Sequence, residues 1–194
     1  MPSIVEVILS RRAVAYDHPP LPHEESGACV LAGLLLTTPR QIYAQYLEGP
    51  ARPLFWPDVA RVLQQAQEDG QLDRVISTVP QWPVPPESMY YGALGWQQAE
   101  AWYAYLRLAC DAGYYGLANV SLTGRGPGRG PGGWVLLCGV RESTPPERNY
   151  RRRQVPDRQV LVSSPGGSAE GVWEDVTSFL RRRGGFNSLL ARPL

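Results

Sequence analysis

Residues 55–72, FWPDVARVLQQAQEDGQL, carry the clearest periodicity in this chain of 194 residues. The apolar side chains recur at the i, i+3, i+4 and i+7 spacing of one helical face, and they are Val59, Val62, Leu63 and Ala66. The opposite face is polar and consists of Arg61, Gln64, Gln65 and Glu68. Gly70 ends the predicted helix, and the following QLDRVISTV alternates like a β-strand. The segment therefore predicts an exposed amphipathic helix with a strand after it.

Two helices are predicted before this segment, and a hairpin and a fourth helix are predicted after it. Residues 24–37 are dense in Ala, Leu and Val and predict a buried first helix. Thr38 is a good N-cap residue and Pro39 suits the first helical position, so a second helix is predicted over residues 39–49. Strands near residues 72–79 and 88–91 would form a two-stranded wing with a proline-rich tip, and the fourth helix would cover residues 94–112. This order of elements is that of a winged helix-turn-helix.

The segments on either side of residues 23–112 predict further β-structure. Residues 3–9 alternate like a strand, and a proline-rich connector follows up to residue 22. After Gly113, the segments GLANVSLTG, GGWVLLCGVR and DRQVLVSS predict strands, and AEGVWEDVTSFLRRR predicts a last helix before a loose tail. The predicted fold class is therefore α+β. A strand and connector over residues 1–22 would precede the winged helix-turn-helix over 23–112, and a small three- or four-stranded sheet with one C-terminal helix would cover 113–194.

Charge is distributed unevenly along the chain, although the net charge is only +1. Residues 23–110 contain five Arg and nine acidic residues, a net charge of −4, whereas residues 111–194 contain twelve Arg and seven acidic residues, a net charge of +5. A polyanion would therefore be attracted to the second half. All the basic side chains are Arg, as is typical of a GC-rich genome, and 43% of the residues are apolar, which is enough for a hydrophobic core.

Thiols and imidazoles are few. The three cysteines lie apart in apolar surroundings, which predicts reduced thiols in a cytoplasm rather than disulfides or a zinc site, and they are Cys29, Cys110 and Cys138. Of the two histidines, His18 falls in the proline-rich connector and His23 directly follows it. Because neither a metal-binding set nor a nucleophile with a His partner emerges, we expect no cofactor, no metal and no enzymatic activity. No apolar run of about 18 residues predicts a membrane span, and the N-terminus lacks the pattern of a signal peptide.

Three segments resemble the PadR-like transcriptional regulators, a family of winged-helix proteins. These segments are ACVLAGLLLTTPRQIYAQYL, DVARVLQQAQEDGQLDRV and SMYYGALGWQQAEAWYAYL. They resemble, in order, the first two helices, the recognition helix, and the tyrosine-bearing second wing strand with the last helix. The resemblance covers residues 23–108, and it implies a homodimer, paired through the helix over residues 94–112. Such a dimer inserts its third helix into the major groove and rests its wings on phosphates.

A DNA-binding winged-helix transcriptional regulator is therefore the predicted function, with DNA as its partner. The second and third helices would present the residues that contact bases or backbone, and these are Arg40, Gln41, Asp58, Arg61, Gln64 and Gln65. Arg74 would serve the wing, since phosphate contacts supply much of the affinity of such proteins. Binding would be weak without help from the basic second half, where Arg side chains cluster around an aromatic residue at Arg151, Arg152 and Arg153.

Two other functions fit the same sequence. In a protein-interaction module, the winged-helix scaffold would bind a partner protein through Trp56 and Trp82 without reading a DNA sequence. In a plasmid or phage replication-associated DNA-binding protein, the winged helix would precede an α/β part. A nuclease centre in that part is disfavoured, because such centres use clustered carboxylates with a Lys and this chain has no Lys.

Overall fold

In the described chain, three consecutive helices follow the first strand, and most of the other strands lie in the second half. The computed structural model describes residues 3–15, 25–47, 49–76, 93–121, 132–144, 157–182 and 189–194. The helices are α1 (Ser26–Leu35), α2 (Pro39–Tyr46), α3 (Trp56–Glu68), α4 (Ala93–Asp111) and α5 (Val176–Arg182). The strands are β1 (Ser3–Ile8), β2 (Leu72–Ile76), β3 (Tyr115–Ser121), β4 (Gly132–Thr144), β5 (Asp157–Ser163), β6 (Val172–Asp175) and β7 (Leu189–Pro193).

The seven strands of the described ranges form one antiparallel sheet. Its order is β2-β7-β3-β4-β5-β6, and β1 pairs with β4 beside that path. The 13-residue β4 organises the sheet, because its first half pairs with β3 and its second half pairs with β1 along the same edge. The other edge of β4 pairs with β5. Since side chains alternate along a strand, β4 contributes to both faces of the sheet.

Each face of the sheet has its own hydrophobic core. On one face, α1, α2 and α3 pack on β4 residues that include Trp134, Leu136 and Cys138. On the other face, α4 and α5 pack on β4 residues that include Val135, Leu137 and Val140. The apolar stripe of α4, predicted as core or dimer contact, lies in this second core. None of the helices in the described ranges is long and apolar enough to cross a membrane.

The local predictions for α2 and α3 are confirmed. Thr38 caps α2, since the Gln41 backbone N–H donates to the Thr38 hydroxyl at 3.2 Å and the Thr38 N–H donates to the Gln41 side-chain oxygen at 3.1 Å. The α3 helix is amphipathic, and its buried residues are Val59, Val62, Leu63 and Ala66. Both features depend only on residues close in sequence, which is why periodicity and capping preferences predict them.

The predicted winged helix-turn-helix is wrong. β2 is not the first strand of a wing, because it pairs antiparallel with β7 at the far end of the chain, where Val75 lies opposite Ala191. The helices before it do not stand as a separate bundle either, since α1 and α3 pack on β3 and β4 in a shared core. The expected return strand near residues 88–91 lies outside the described residues. Alternation in β2 specifies a strand, but it does not specify the partner strand.

The predicted small sheet with a loose tail is also wrong. The segment VWED, predicted as helix, is strand β6, and α5 begins only at Val176. The tail is not loose, because Leu189, Leu190 and Ala191 are buried and form β7 between β2 and β3. Burial of these apolar residues in a central strand outweighs the weak local signal. The division of the chain at residues 22 and 112 stays a prediction.

Candidate functional site

An open cleft of about 890 Å³ lies between α2 and α3. These helices bury their apolar residues against α1 and the sheet, so their polar residues remain at the surface and line the cleft. The lining residues are Arg40, Tyr43, Ala44, Gln45, Tyr46, Leu47, Gly49, Arg61, Gln65 and Asp69. The volume falls within the range of about 300–1,000 Å³ that is typical of small-ligand sites.

The described residues neutralise the positive charge of two exposed arginines in the cleft only in part. Arg40 is exposed on α2 and makes no hydrogen bond or ion pair with the described part of the chain. The Arg61 side chain is 61% exposed, and its guanidinium lies 3.9 Å from the Asp58 carboxylate. That carboxylate is already held by Arg52 through two hydrogen bonds of 2.7 and 2.9 Å. Arg40 and Arg61 are therefore able to bind an anionic group.

Asp58 holds the start of α3 and the loop before it in place. Besides the pair with Arg52, its carboxylate accepts a hydrogen bond of 3.0 Å from the Phe55 backbone N–H. Mainly because of the Arg52 hydrogen bond, the pKa of Asp58 is lowered from its usual value. The carboxylate therefore stays ionised in neutral solution and keeps Arg52 away from the cleft. Asp58 was predicted to approach DNA, but its oxygens are occupied within the protein.

Two tyrosines form the wall of the cleft that α2 provides. The Tyr43 hydroxyl donates to the Arg52 carbonyl oxygen at 2.8 Å and so ties α2 to the loop before α3. The Tyr46 hydroxyl is shielded from solvent and makes no hydrogen bond of ordinary geometry with the described residues. The Gln71 side chain is near enough to lower the pKa of Tyr46. Burial and the charge of Asp69 raise the pKa of Tyr46, so its hydroxyl stays protonated at neutral pH.

The structure gathers only part of the predicted site. Arg40, Arg61 and Gln65 all line the cleft, and the Gln65 amide donates to Asp69 at 3.1 Å. The Gln41 side chain is engaged in the cap of α2. Gln64 on α3 and Arg74 on β2 are exposed but do not line the cleft. The cluster Arg151, Arg152 and Arg153 lies outside the described residues.

Sequence reasoning missed the two tyrosines as residues of the cleft. Tyr43 and Tyr46 follow the inner face of α2 in the sequence, so their apolar bodies predict core positions. The available signal was their amphipathic character, because a tyrosine at the border of a core keeps its polar tip near water.

The three cysteines of the chain are all buried as free thiols. Burial raises the pKa of Cys110 to about 12 and that of Cys138 to about 11, so both are unreactive thiols at neutral pH. Cys29 lies in α1, and its thiol is 3.7 Å from the Ala15 carbonyl oxygen. The Val14 backbone N–H also donates to the Cys29 carbonyl oxygen at 3.2 Å, so residues 9–15 cover this part of α1. His18 and His23 lie outside the described residues.

Comparison with known proteins identifies a fold relative and no family. No family model matches the chain, and no curated protein matches it. Among solved structures, the chain is similar to one described as "Crystal structure of an putative C39-like peptidase from Bacillus anthracis". The TM-score is 0.53, the sequences are 11% identical, and the likeness covers 98% of each chain. At this identity the likeness shows a shared fold.

This likeness corrects the predicted function. The whole described chain follows the fold of a peptidase-like protein rather than that of a winged helix, so DNA binding by α3 loses its structural basis and that prediction is wrong. The two alternatives built on a winged-helix scaffold fail for the same reason. The expectation of no enzymatic activity is also weakened, because a protein of this fold is described as a peptidase. A homodimer through residues 94–112 and contacts with DNA or a protein partner stay predictions.

Proposed function

We propose that this chain is a peptide-binding protein with a peptidase-like fold, and that the cleft between α2 and α3 holds a carboxylate of the peptide. The observation that carries this proposal is a pair of exposed arginines in a cleft of about 890 Å³: Arg40 has no ion pair with the described residues, and Arg61 has only a 3.9 Å contact with Asp58. Guanidinium groups bind carboxylates through two parallel hydrogen bonds. A carboxylate between these helices would therefore be held both by charge attraction and by well-directed hydrogen bonds.

A peptide is the favoured ligand because of the fold likeness. The similar structure is described as that of a peptidase, a class that acts on peptides. This step is an analogy at the level of the fold, and it gives the class of ligand rather than the residues that bind it. The cleft supplies the chemistry, since the tyrosine rings offer apolar contacts and the arginines select a negative charge.

The proposal is tested with labelled peptides. Random octapeptides lacking Asp, Glu, Lys, Arg and His carry a neutral fluorophore on the N-terminus and end either in a free carboxylate or in an amide, and a third pool ends in an amide but has one central Asp. We expect the carboxylate pools to bind the wild-type protein more tightly than the neutral pool in fluorescence anisotropy. The double variant Arg40→Ala/Arg61→Ala should lose this preference by about tenfold, as expected for two charge-assisted contacts at an exposed site.

Arg74→Ala is the matched control, because Arg74 is an exposed arginine outside the cleft. This variant should bind all pools like the wild type. Equal affinity of the wild type for the neutral and acidic pools would overturn the proposal, and so would an equal loss in Arg74→Ala. Whether the free terminus or the internal Asp binds more tightly tells which carboxylate of a peptide the cleft selects.

Thiol-dependent hydrolysis is a second candidate function, and the position of Cys29 favours it. Its thiol contacts Ala15, the last described residue before the segment 16–24, and that segment contains both histidines of the chain. A cysteine nucleophile needs such an imidazole base. Cys29 itself is fully buried, so residues 9–15 would have to move before a substrate reached it.

Hydrolysis of the same peptide pools tests this second candidate. Cleavage that survives Cys110→Ala but is abolished both by Cys29→Ala and by His18→Ala/His23→Ala would support it. Cys110 serves as the control because it is equally buried and lies in the other core. Cleavage that persists in Cys29→Ala, or no cleavage by the wild type, would rule out Cys29 as a nucleophile. Neither result affects the binding measured at the cleft.

A further inference from the structure

The outer strand β1 leaves a large apolar surface uncovered. Ile4 is 62% exposed and Ile8 is 50% exposed, and both are on the same face of β1 as Glu6, since side chains alternate along a strand. We call these three side chains, together with the free edge of β1, the β1 surface. Soluble proteins rarely leave a flat, β-branched edge strand open to solvent, because it pairs readily with another chain.

The hydrogen-bonding edge of β1 is open on one side. Residues 3–8 pair with residues 139–144 of β4, and within the described ranges β1 has no other strand partner. The backbone groups of β1 that point away from β4 therefore face outward. A second extended chain can satisfy these groups by adding to the sheet as another strand.

Glu6 gives the β1 surface its charge. Arg141 lies directly opposite Glu6 on β4, but its guanidinium is directed elsewhere. It donates to the Gln159 side-chain oxygen at 3.1 Å and stacks over the Trp173 ring at 4.4 Å. Glu6 makes no ion pair with the described residues, so an exposed carboxylate stands between two exposed isoleucines.

We propose that β1 binds an extended segment of a partner protein as an additional antiparallel strand. Opposite residues of paired strands lie about 4.5–5.5 Å apart at Cβ, so each partner side chain meets one side chain of β1. A basic residue would lie opposite Glu6, and apolar residues two positions away on each side would lie opposite Ile4 and Ile8. The partner motif is therefore apolar-x-basic-x-apolar.

A second copy of this chain fits the β1 surface poorly. Antiparallel pairing of two β1 strands that places Ile4 opposite Ile8 of the other copy also places the two Glu6 side chains opposite each other. Like charges directly opposite are destabilising in a sheet. A basic segment from a different protein removes this conflict, which is why we commit to it as the occupant.

The test uses the acetylated, amidated heptapeptide TVTRTVT and its charge-reversed form TVTETVT, with the full-length protein and binding measured by anisotropy. We expect TVTRTVT to bind the wild type about fivefold more tightly than TVTETVT, and Glu6→Arg to reverse the order. Glu68→Arg is the matched control, since it makes the same charge change at an exposed position on α3 and should leave the order unchanged. The thermal melting temperature should stay the same in Glu68→Arg, whereas Glu6→Arg should lower it slightly because it places an arginine opposite Arg141, so binding is measured well below the melting temperature of each variant.

N-methylated peptides separate strand addition from simple charge attraction. Methylation of every second amide along one edge of TVTRTVT should abolish binding, whereas methylation along the opposite edge should preserve it. Equal binding of the two methylated forms, or an unchanged order in Glu6→Arg, would overturn the proposal. So would a dimer in sedimentation that Ile8→Lys dissociates, since the occupant would then be a second copy. The variant Arg40→Ala/Arg61→Ala should bind TVTRTVT like the wild type. The test of β1 is therefore independent of the proposal for the cleft.

Discussion

The two faces of the sheet are covered by helices of different design. On one face, α1, α2 and α3 are 10, 8 and 13 residues long, and the polar sides of α2 and α3 border an open cleft. On the other face, the 19-residue α4 and the shorter α5 close the sheet with an apolar stripe in which Trp102 stacks on Phe179. Both faces hold a hydrophobic core, and the first face also borders the cleft that we propose binds a peptide.

The two faces also differ in how they surround an arginine. Arg158 on the α4 face is surrounded by Glu100 and Glu142 and lies 5.2 Å from the centre of the Tyr103 ring. Arg61 on the cleft face has only a distant contact with Asp58, whose oxygens are taken by another arginine. Arg158 supports the fold because carboxylates surround it. Arg61 is more exposed, so its guanidinium can contact a ligand. The following changes test this division.

The largest expected effect is on the α4 face. Phe179→Ala removes a fully buried ring from contact with Trp102 and leaves a cavity. We expect the free energy of unfolding to fall by about 3–5 kcal/mol, as for other large-to-small core changes. Urea denaturation followed by tryptophan fluorescence measures it. Peptide binding at the cleft should be unchanged under conditions where the variant is folded.

Leu108→Ala is the control for this change. Leu108 lies on α4 but is 70% exposed, so its removal should change the free energy of unfolding by less than about 0.5 kcal/mol. A comparable loss in Leu108→Ala and Phe179→Ala would mean that the packing of α4 differs from that described. Weaker peptide binding in folded Phe179→Ala would mean that the two faces are coupled.

A smaller effect is expected when the two arginines are compared directly. Arg158→Ala leaves Glu100 and Glu142 close together without a cation. Breaking a fully buried pair costs about 3–5 kcal/mol, and we expect about 2 kcal/mol here because all three side chains are partly exposed. Arg61→Ala should change stability by no more than about 0.5 kcal/mol while weakening peptide binding. The opposite pattern in chemical denaturation and anisotropy would reverse the roles of the two arginines.

The same contrast explains which parts of the fold could be predicted from the sequence. The α3 helix and the cap of α2 depend on residues within a few positions of each other, and both were predicted. The pairing of β2 with β7 joins residues 72–76 to residues 189–193, and no local pattern carries that information. Because β2 follows a helix and a glycine, its alternation suggested a wing, and one wrong partner changed the whole architecture.

The candidate site was predicted in part for a similar reason. Arg40, Arg61 and Gln65 are polar positions on neighbouring helices, so sequence reasoning selected them as a binding surface. Their role was assigned wrongly, because the role followed from the winged helix rather than from the residues. Tyr46 became a site residue only when tertiary packing placed α2 beside α3, so that its side chain lines the cleft between them. Long-range packing of this kind leaves no trace in periodicity.

The smallest expected effect concerns the loop that frames the cleft. The Arg52 hydrogen bond lowers the pKa of Asp58 in the folded protein below the usual value of about 3.9 for an unfolded chain. A group with a lowered folded pKa stabilises the protein above its unfolded pKa and loses that contribution as the pH falls through the folded pKa. Asp58→Asn should therefore destabilise the protein by about 1 kcal/mol at neutral pH, and the difference from the wild type should shrink as the pH falls below about 4. Urea denaturation of both proteins between about pH 3 and pH 7 measures this difference, with Asp69→Asn as a control at an exposed carboxylate. A difference that stays constant over this range would mean that the Asp58 charge does not hold Arg52, and that Arg52 is as available to a ligand as Arg61.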